Sequence, residues 1–224
     1  MSLKEELAAR KAEFMGKAPP EIREAMMRAD QELHASGIVG RAIKIGDQTP
    51  DFRLPDVHGK EVHLADLLKN GPVVVSFYRG GWCPYCNLEL RALQRALPAI
   101  KELGATLVAI SPQSPDESLS TAEKNALAFS VLSDAGSLTA KAFGIAFDLA
   151  DELRPIYTRL GHALPDINGV NDWVLPLPAT FVIAQNGTVA LAFVDVDYRT
   201  RLEPAEIIAT LRNLSGQVPA LEIG

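Results

Sequence analysis

The sequence predicts an α/β fold, a central mixed β-sheet flanked by helices, with a helical extension at the N-terminus. Three observations carry this. From about residue 72 onward, short β-branched runs alternate with stretches of helical apolar spacing. Near the end, ATFVIAQNGTVALAFVDV breaks the alternation with a hairpin signal, so parallel and antiparallel pairing must share one sheet. The first 36 residues show helical spacing and no strand signal.

In the extension, Leu3, Leu7 and Phe14 recur at helical intervals, Pro19-Pro20 breaks the run, and EIREAMMRADQELHAS resumes it until Gly37 closes it. The texture changes at KIGDQTPDFRLPD, which divides the chain into an extension over 1–43 and a second unit over 44–224. PVVVSFY (72–78) reads as a buried strand. A helix over about 84–103 presents Leu90, Leu93, Leu97 and Ile100 on one face, with Pro98 predicting a kink. ATLVAIS, a helix from Pro115, FSVLSD and a short helix through SLTAKAF follow. Asn186-Gly187 predicts a type I′ turn, and EPAEIIATLRNL a closing helix with Pro204 in its first turn. Residues 145–176 do not fit the alternation. A long excursion rich in Pro, Gly, Asn and Asp suggests an active-site cover or a contact surface for a homodimer.

The 224 residues are 47% apolar and 22% charged, enough for a core without disulfides. A net charge of -6 argues against nucleic acid as a partner. The opening MSLKEELAARKAEFMGKAPP lacks the apolar core of a secretion signal, and no stretch approaches the roughly 20 apolar residues of a membrane span. The expectation is a cytoplasmic protein without a membrane partner, where a lone cysteine pair is more often catalytic or metal-binding than a staple.

That pair is Cys83 and Cys86, in GWCPYC. Pro84 suits the first helical position, which makes Cys83 the N-cap and puts Cys86 in the first turn. Orphan N–H groups and the helix dipole there favour thiolate over thiol. The i, i+3 spacing lets the sulfurs join and part with little backbone movement, and so short a loop would add little as a staple. The geometry suits redox cycling. The alternative of half a zinc site, completed by His58 and His63, is weaker because no second cysteine pair exists, and neither a metal nor another cofactor is expected.

Trp82-Cys83-Pro84-Tyr85-Cys86 resembles the active site of the thioredoxin fold, and GDQTPDFRLPDVHGKEVHLADLLKNGPVVVSFYR (46–79) is similar to the opening of AhpC/TSA peroxiredoxins; FSVLSDAGSLTAKAFGI and ATFVIAQNGTV extend the likeness over about 44–215. The resemblance implies a thioredoxin-like fold and a thiol-dependent peroxidase acting on hydrogen peroxide or an alkyl hydroperoxide, recycled by thioredoxin or a glutathione-type thiol. Laid on the peroxiredoxin motif P-x-x-x-T-x-x-C, Cys86 takes the peroxidatic place, Cys83 replaces the threonine and becomes resolving, and Arg79 replaces the proline. Pro178, in PATF, replaces the family's second arginine and resembles the cis-proline that faces the cysteines in thioredoxins. Thioredoxin's buried aspartate corresponds to Phe77, so a proton acceptor must come from elsewhere; Glu89 is a candidate, though a helix glutamate reads first as exposed. Two other readings stay open: a general thiol–disulfide oxidoreductase with Cys83 as nucleophile, and a non-catalytic redox sensor or metal-binding module.

Among supporting residues, Arg79 is either a peroxide or thiolate ligand or a solvated loop arginine, and Trp82 and Tyr85 are expected at the rim. Trp173 reads as packing before it reads as a lid, Asp195 and Asp197 as a solvated edge; His34 and His162 give no signal.

Overall fold

A computed structural model of the protein describes residues 1–216; positions 217–224, the end of the expected second unit, lie outside the described residues. Ser2 opens helix α1 (Leu3–Lys17) with a capping box, its Oγ accepting the Glu5 N–H while the Glu5 carboxylate accepts the Ser2 N–H. Helix α2 (Pro20–Ala35) begins on Pro20 and ends at Ser36, where Gly37 turns left-handed at φ 68°.

A small hairpin, β1 (Arg53–Pro55) and β2 (Glu61–His63), and helix α3 (Leu64–Leu68) lead into β3 (Val73–Phe77). Then come α4 (Pro84–Glu102), β4 (Thr106–Ser111), α5 (Pro115–Lys124), β5 (Ser130–Ser133) and α6 (Leu138–Ala142). Helix α4 runs through Pro98. The excursion resolves into β6 (Ala146–Asp148), α7 (Arg154–Arg159), α8 (Leu164–Asn168) and β7 (Val174–Pro176), with β6 and β7 paired antiparallel. Strands β8 (Ala179–Ile183) and β9 (Val189–Val194) and helix α9 (Pro204–Leu214) follow.

The central sheet has the order β5-β4-β3-β8-β9, with β3 parallel to β4 and antiparallel to β8. All five residues of β3 are buried, Ser76 included, as its mainly apolar run leads one to expect when both faces are covered. Val73, Val75 and Phe77 point to one side, where Phe77, Phe143 and Phe181 stack with centroids 4.9–6.2 Å apart. Val74 points to the other, against Leu93, Leu97 and Ile100 of α4 and Ile207 and Leu211 of α9. Truncating a ring such as Phe77 to alanine would cost roughly 3–5 kcal/mol.

The β8–β9 connection departs from the expected type I′ turn. That turn needs positive φ at both central residues, but Asn186 is not among the residues with positive φ, whereas Gly187 is, at 84°. The Gly187 N–H closes on the Ala184 carbonyl at 2.8 Å, and Ile183 pairs with Val189, so the loop is longer than two residues.

The extension does not stand apart. Leu3 and Leu7 of α1 join the apolar cluster that contains Cys83, Tyr85, Cys86 and Leu90. Ile22, Ala25 and Met26 of α2 pack on Leu149, Leu153, Tyr157 and Leu164 of the excursion. Both additions to the sheet therefore converge above the start of α4.

Candidate active site

Strand β3 ends at Phe77, and residues 78–83 carry the chain to α4. This loop is pinned by polar bonds: the Gly81 N–H donates to Gln113 Oε1 at 2.7 Å, and Asn87 Nδ2 donates to the Gly81 carbonyl at 2.8 Å. Gly80 adopts φ 152°, and a Cβ there would lie 2.2 Å from the Trp82 indole nitrogen, so only glycine fits.

Cys83 is the N-cap of α4 and Pro84 its first residue, and both sulfurs are free and buried. The Cys83 side chain accepts no capping hydrogen bond; the Cys86 backbone N–H exerts only a weak pull on its charge. What ionises Cys83 comes instead from side chains. Burial pushes its pKa up, but a hydrogen bond from the Cys86 thiol and the charges of Arg79 and Arg201 outweigh it and bring the value down to about 5. Cys86 moves the other way. Burial, the bond it donates and the negative Cys83 hold its proton well above the ordinary range, although Arg201 opposes them. The two sulfurs share one negative charge, with Cys83 shifted down and Cys86 shifted up.

Two arginines flank the pair. Arg79 is 3% exposed, so the solvated-loop reading falls. Its Nη2 donates to the Tyr157 hydroxyl, and its Cζ lies 4.3 Å from the Tyr198 ring centroid and 5.1 Å from that of Trp82. Burial disfavours its charge, but Tyr157 and Cys83 hold it protonated. Arg201 donates through Nη2 to Cys86 Sγ at 3.3 Å, through Nη1 to the carbonyls of Tyr198 and Thr200, and through Nε to Glu89 Oε2 at 2.5 Å.

Glu89 overturns its expected exposure: it is 2% exposed. Helix α4 lies against the sheet and α9, so the third position after Cys86 faces inward, and Arg201 makes that burial tolerable. Burial raises its pKa to about 7, with Arg201 pulling down and Cys86 pushing up.

Other expectations shift as well. Pro178 is not cis: no cis peptide bond occurs among the described residues. It precedes β8 and costs the ladder no hydrogen bond, so no special isomer is needed; it lines a cavity with Arg79. Tyr85, expected at the rim, is buried with its ring edge-on to Tyr198 at 5.6 Å. Trp82 is half-buried and stacks on His162 at 5.0 Å, which gives that histidine the place its sequence context withheld. Trp173 is half-buried beneath Arg154. Asp197 binds Arg199 and Lys11. His63 faces Asp51, and among the described residues no cluster of three or more His, Cys, Asp or Glu could hold a metal. Sequence reasoning missed Arg201, Tyr157 and Tyr198, none of which stands in a motif.

The AhpC/TSA family model matches residues 45–192, about two thirds of the chain. The chain belongs to the AhpC/TSA family. A chloroplastic peroxiredoxin Q from Sedum lineare is 30% identical over 161 residues, 72% of this chain and 74% of that protein. Peroxiredoxin Bcp from Escherichia coli is 33% identical over 103 residues, 46% of this chain. Against the Gentiana triflora peroxiredoxin Q and the E. coli protein, this AhpC/TSA chain spans 58% and 65% of the relative's own length. Among solved structures, the peroxidoxin BcpB of Mycobacterium tuberculosis matches with a TM-score of 0.60 and 27% identity over 76% of this chain and 97% of that one. The expected thioredoxin-like α/β fold is thus the observed one. Helices α1 and α2, which seal the cysteines, lie outside the family match. None of the described helices is long and apolar enough to cross a membrane.

Proposed function

We propose that this AhpC/TSA protein is a thiol-dependent peroxidase in which Cys83 attacks the peroxide and Cys86 resolves. One observation carries the order of events. The ionised sulfur, Cys83, lines a cavity, while the protonated one, Cys86, is sealed behind it. This reverses the roles that alignment to the peroxiredoxin motif implies.

The Cys83 thiolate attacks one peroxide oxygen; the O–O bond breaks, and the departing alkoxide or hydroxide takes a proton from the medium. Cys83 becomes a sulfenic acid. Arg79, beside the reacting sulfur, stabilises the negative charge that passes from sulfur to the leaving oxygen. Cys86 then attacks the Cys83 sulfur, the S–O bond breaks, and the leaving hydroxide combines with the Cys86 thiol proton as water. A Cys83–Cys86 disulfide remains, and one thioredoxin-type dithiol or two glutathione-type thiols reduce it. The substrate is hydrogen peroxide or an alkyl hydroperoxide. A cytoplasmic location belongs to the same reading, because the cycle needs its thiol reductant in the same compartment. So does the division into an extension over 1–43 and a catalytic unit over 44–224 with 145–176 inserted; the start of the family match at residue 45 supports the first of these boundaries.

A second reading, a general thiol–disulfide oxidoreductase, is favoured by the same ionised Cys83, which suits attack on a disulfide equally well. Single-turnover peroxide consumption separates the two. Cys86→Ser is expected to consume one peroxide per chain and stop at sulfenic acid, and Cys83→Ser to consume none. The opposite pattern restores the alignment's order. No peroxide consumption by the wild type, together with rapid disulfide reduction, establishes the second reading.

A further inference from the structure

Two cavities meet at Arg79, and their linings differ in charge. One, of ≈ 240 Å³, lies between α2 and the excursion and carries Asp30, Glu32 and Asp148. The other, of ≈ 290 Å³, opens on Cys83, and its lining includes Arg10, Arg79 and His162 but no aspartate or glutamate. On a chain of net charge -6, that second lining is a local exception. It also has unspent donors. Arg79 Nε and the Tyr85 hydroxyl are buried without a partner, as is Arg10 Nε, while Glu13 engages only the Nη1 of Arg10. A buried donor without an acceptor is costly unless something supplies one.

The redox cycle sharpens the demand. In the dithiol form the Cys83 thiolate is the negative charge facing Arg79. Once the disulfide forms, that charge is gone. Arg79 then keeps the Tyr157 hydroxyl and the ring faces of Trp82, Tyr157 and Tyr198, and its acidic neighbour Asp30 lies in the first cavity, not on the Cys83 side. On the Cys83 side the guanidinium has then lost its facing negative charge, and an anion entering there is no longer repelled by a thiolate.

Access selects the anion. Cys83 is 1% exposed, under Phe14 and Met26 from the extension and Tyr157 and Leu160 from the excursion. The redox turn of a protein would have to lift these elements to touch the sulfur. A cavity of this size is at the small end of those that hold small molecules.

Resting on the dithiol cycle above, we propose that the cavity over Cys83 is the reductant site, and that it takes a low-molecular-weight thiol bearing carboxylates, held by Arg79 and Arg10 and bound preferentially to the disulfide form. The thiolate of the first molecule attacks Cys83 Sγ; the Cys83–Cys86 bond breaks, and Cys86 leaves as thiolate and takes up a proton. A second thiolate attacks the first molecule's sulfur and frees Cys83 as thiolate. The sum is one protein disulfide and two small thiols converted to the Cys83 thiolate and Cys86 thiol, one small disulfide and one released proton.

The test uses S-methylglutathione, which has the carboxylates but cannot reduce, titrated calorimetrically onto full-length protein reduced or oxidised with diamide. The disulfide form is expected to bind at least tenfold more tightly than the dithiol form. Esterifying the probe's carboxylates should abolish binding, and Arg10→Gln should weaken it about tenfold, as loss of one charge-assisted contact. Equal affinity for the two forms, no binding up to millimolar concentration, or retained binding of the ester would overturn the proposal. So would reduction by thioredoxin at a rate that saturating S-methylglutathione leaves unchanged. Because diamide makes the disulfide, failure of peroxide to oxidise the protein would remove the peroxidase reading and leave this result legible.

Discussion

Cys83 and Cys86 lie within one turn of the same helix and are equally buried, yet their pKa values move in opposite directions. Burial acts on both in the same direction and so cannot separate them. Position at the helix start does not separate them either, since no capping bond reaches Cys83 in good geometry. The difference lies in direction: Cys86 donates to Cys83, and Arg79 faces the receiving sulfur, while Arg201 reaches Cys86 with its own charge already engaged by Glu89. Side-chain partners, one of them 115 residues away, set the direction in which each of two neighbouring thiols shifts.

The largest expected effect comes from removing the cation behind Cys86. Arg201→Met leaves Glu89 buried without its partner and should cost roughly 3–5 kcal/mol, read from the urea midpoint. Arg79→Met tests the other side. Cys83 loses the cation facing it, and the peroxide rate constant should fall about 100-fold, near 2.7 kcal/mol, with the folding midpoint moving far less than in Arg201→Met. Equal losses of rate in the two variants would erase the distinction drawn between the arginines.

Cys86→Ala sharpens the comparison by removing the donated hydrogen bond alone. A bond to a charged acceptor contributes about 1.5–3 kcal/mol, so the Cys83 midpoint should climb from about 5 by roughly one to two pH units in an ultraviolet thiolate titration. An unmoved midpoint would show that the arginines suffice.

The smallest effect, taken per pH unit, is the pH dependence of stability at Glu89. The folded chain holds this proton up to about 7, whereas the unfolded chain releases it near the ordinary value of 4.5. The folded state therefore binds more protons in between. The associated stability is complete below 4.5 and is lost as pH rises through 7, with a slope of at most about 1.4 kcal/mol per pH unit. Urea midpoints at pH 5, 6, 7 and 8 should show this decline in the wild type and a flatter profile in Glu89→Gln.

The architecture was largely legible because its signals are local. The β-branched run of β3 marked a buried strand, Pro84 and the spacing of Leu90, Leu93 and Leu97 marked α4, and Pro20 and Gly37 bounded α2. Where a local rule failed, a neighbouring geometry was equally available: Asn186-Gly187 fits a longer loop with only Gly187 left-handed, and Pro178 can precede a strand as well as interrupt one. Glu89 was misread for another reason. A charge on a helix predicts exposure unless its partner is known, and that partner lies 112 residues away.

By itself, then, the sequence determined the strands and helices, the seat of the two cysteines at a helix start and their ability to join, since all of these depend on spacing along a few turns of chain. The tertiary structure decided in which direction each thiol shifts, what covers the pair and which cations lie beside it. Arg79 meets Tyr157 across 78 residues, and Arg201 meets Cys86 across 115. Such pairs leave no periodic trace, because they exist only once the sheet has brought separate segments together and driven out the water that would otherwise solvate each charge alone.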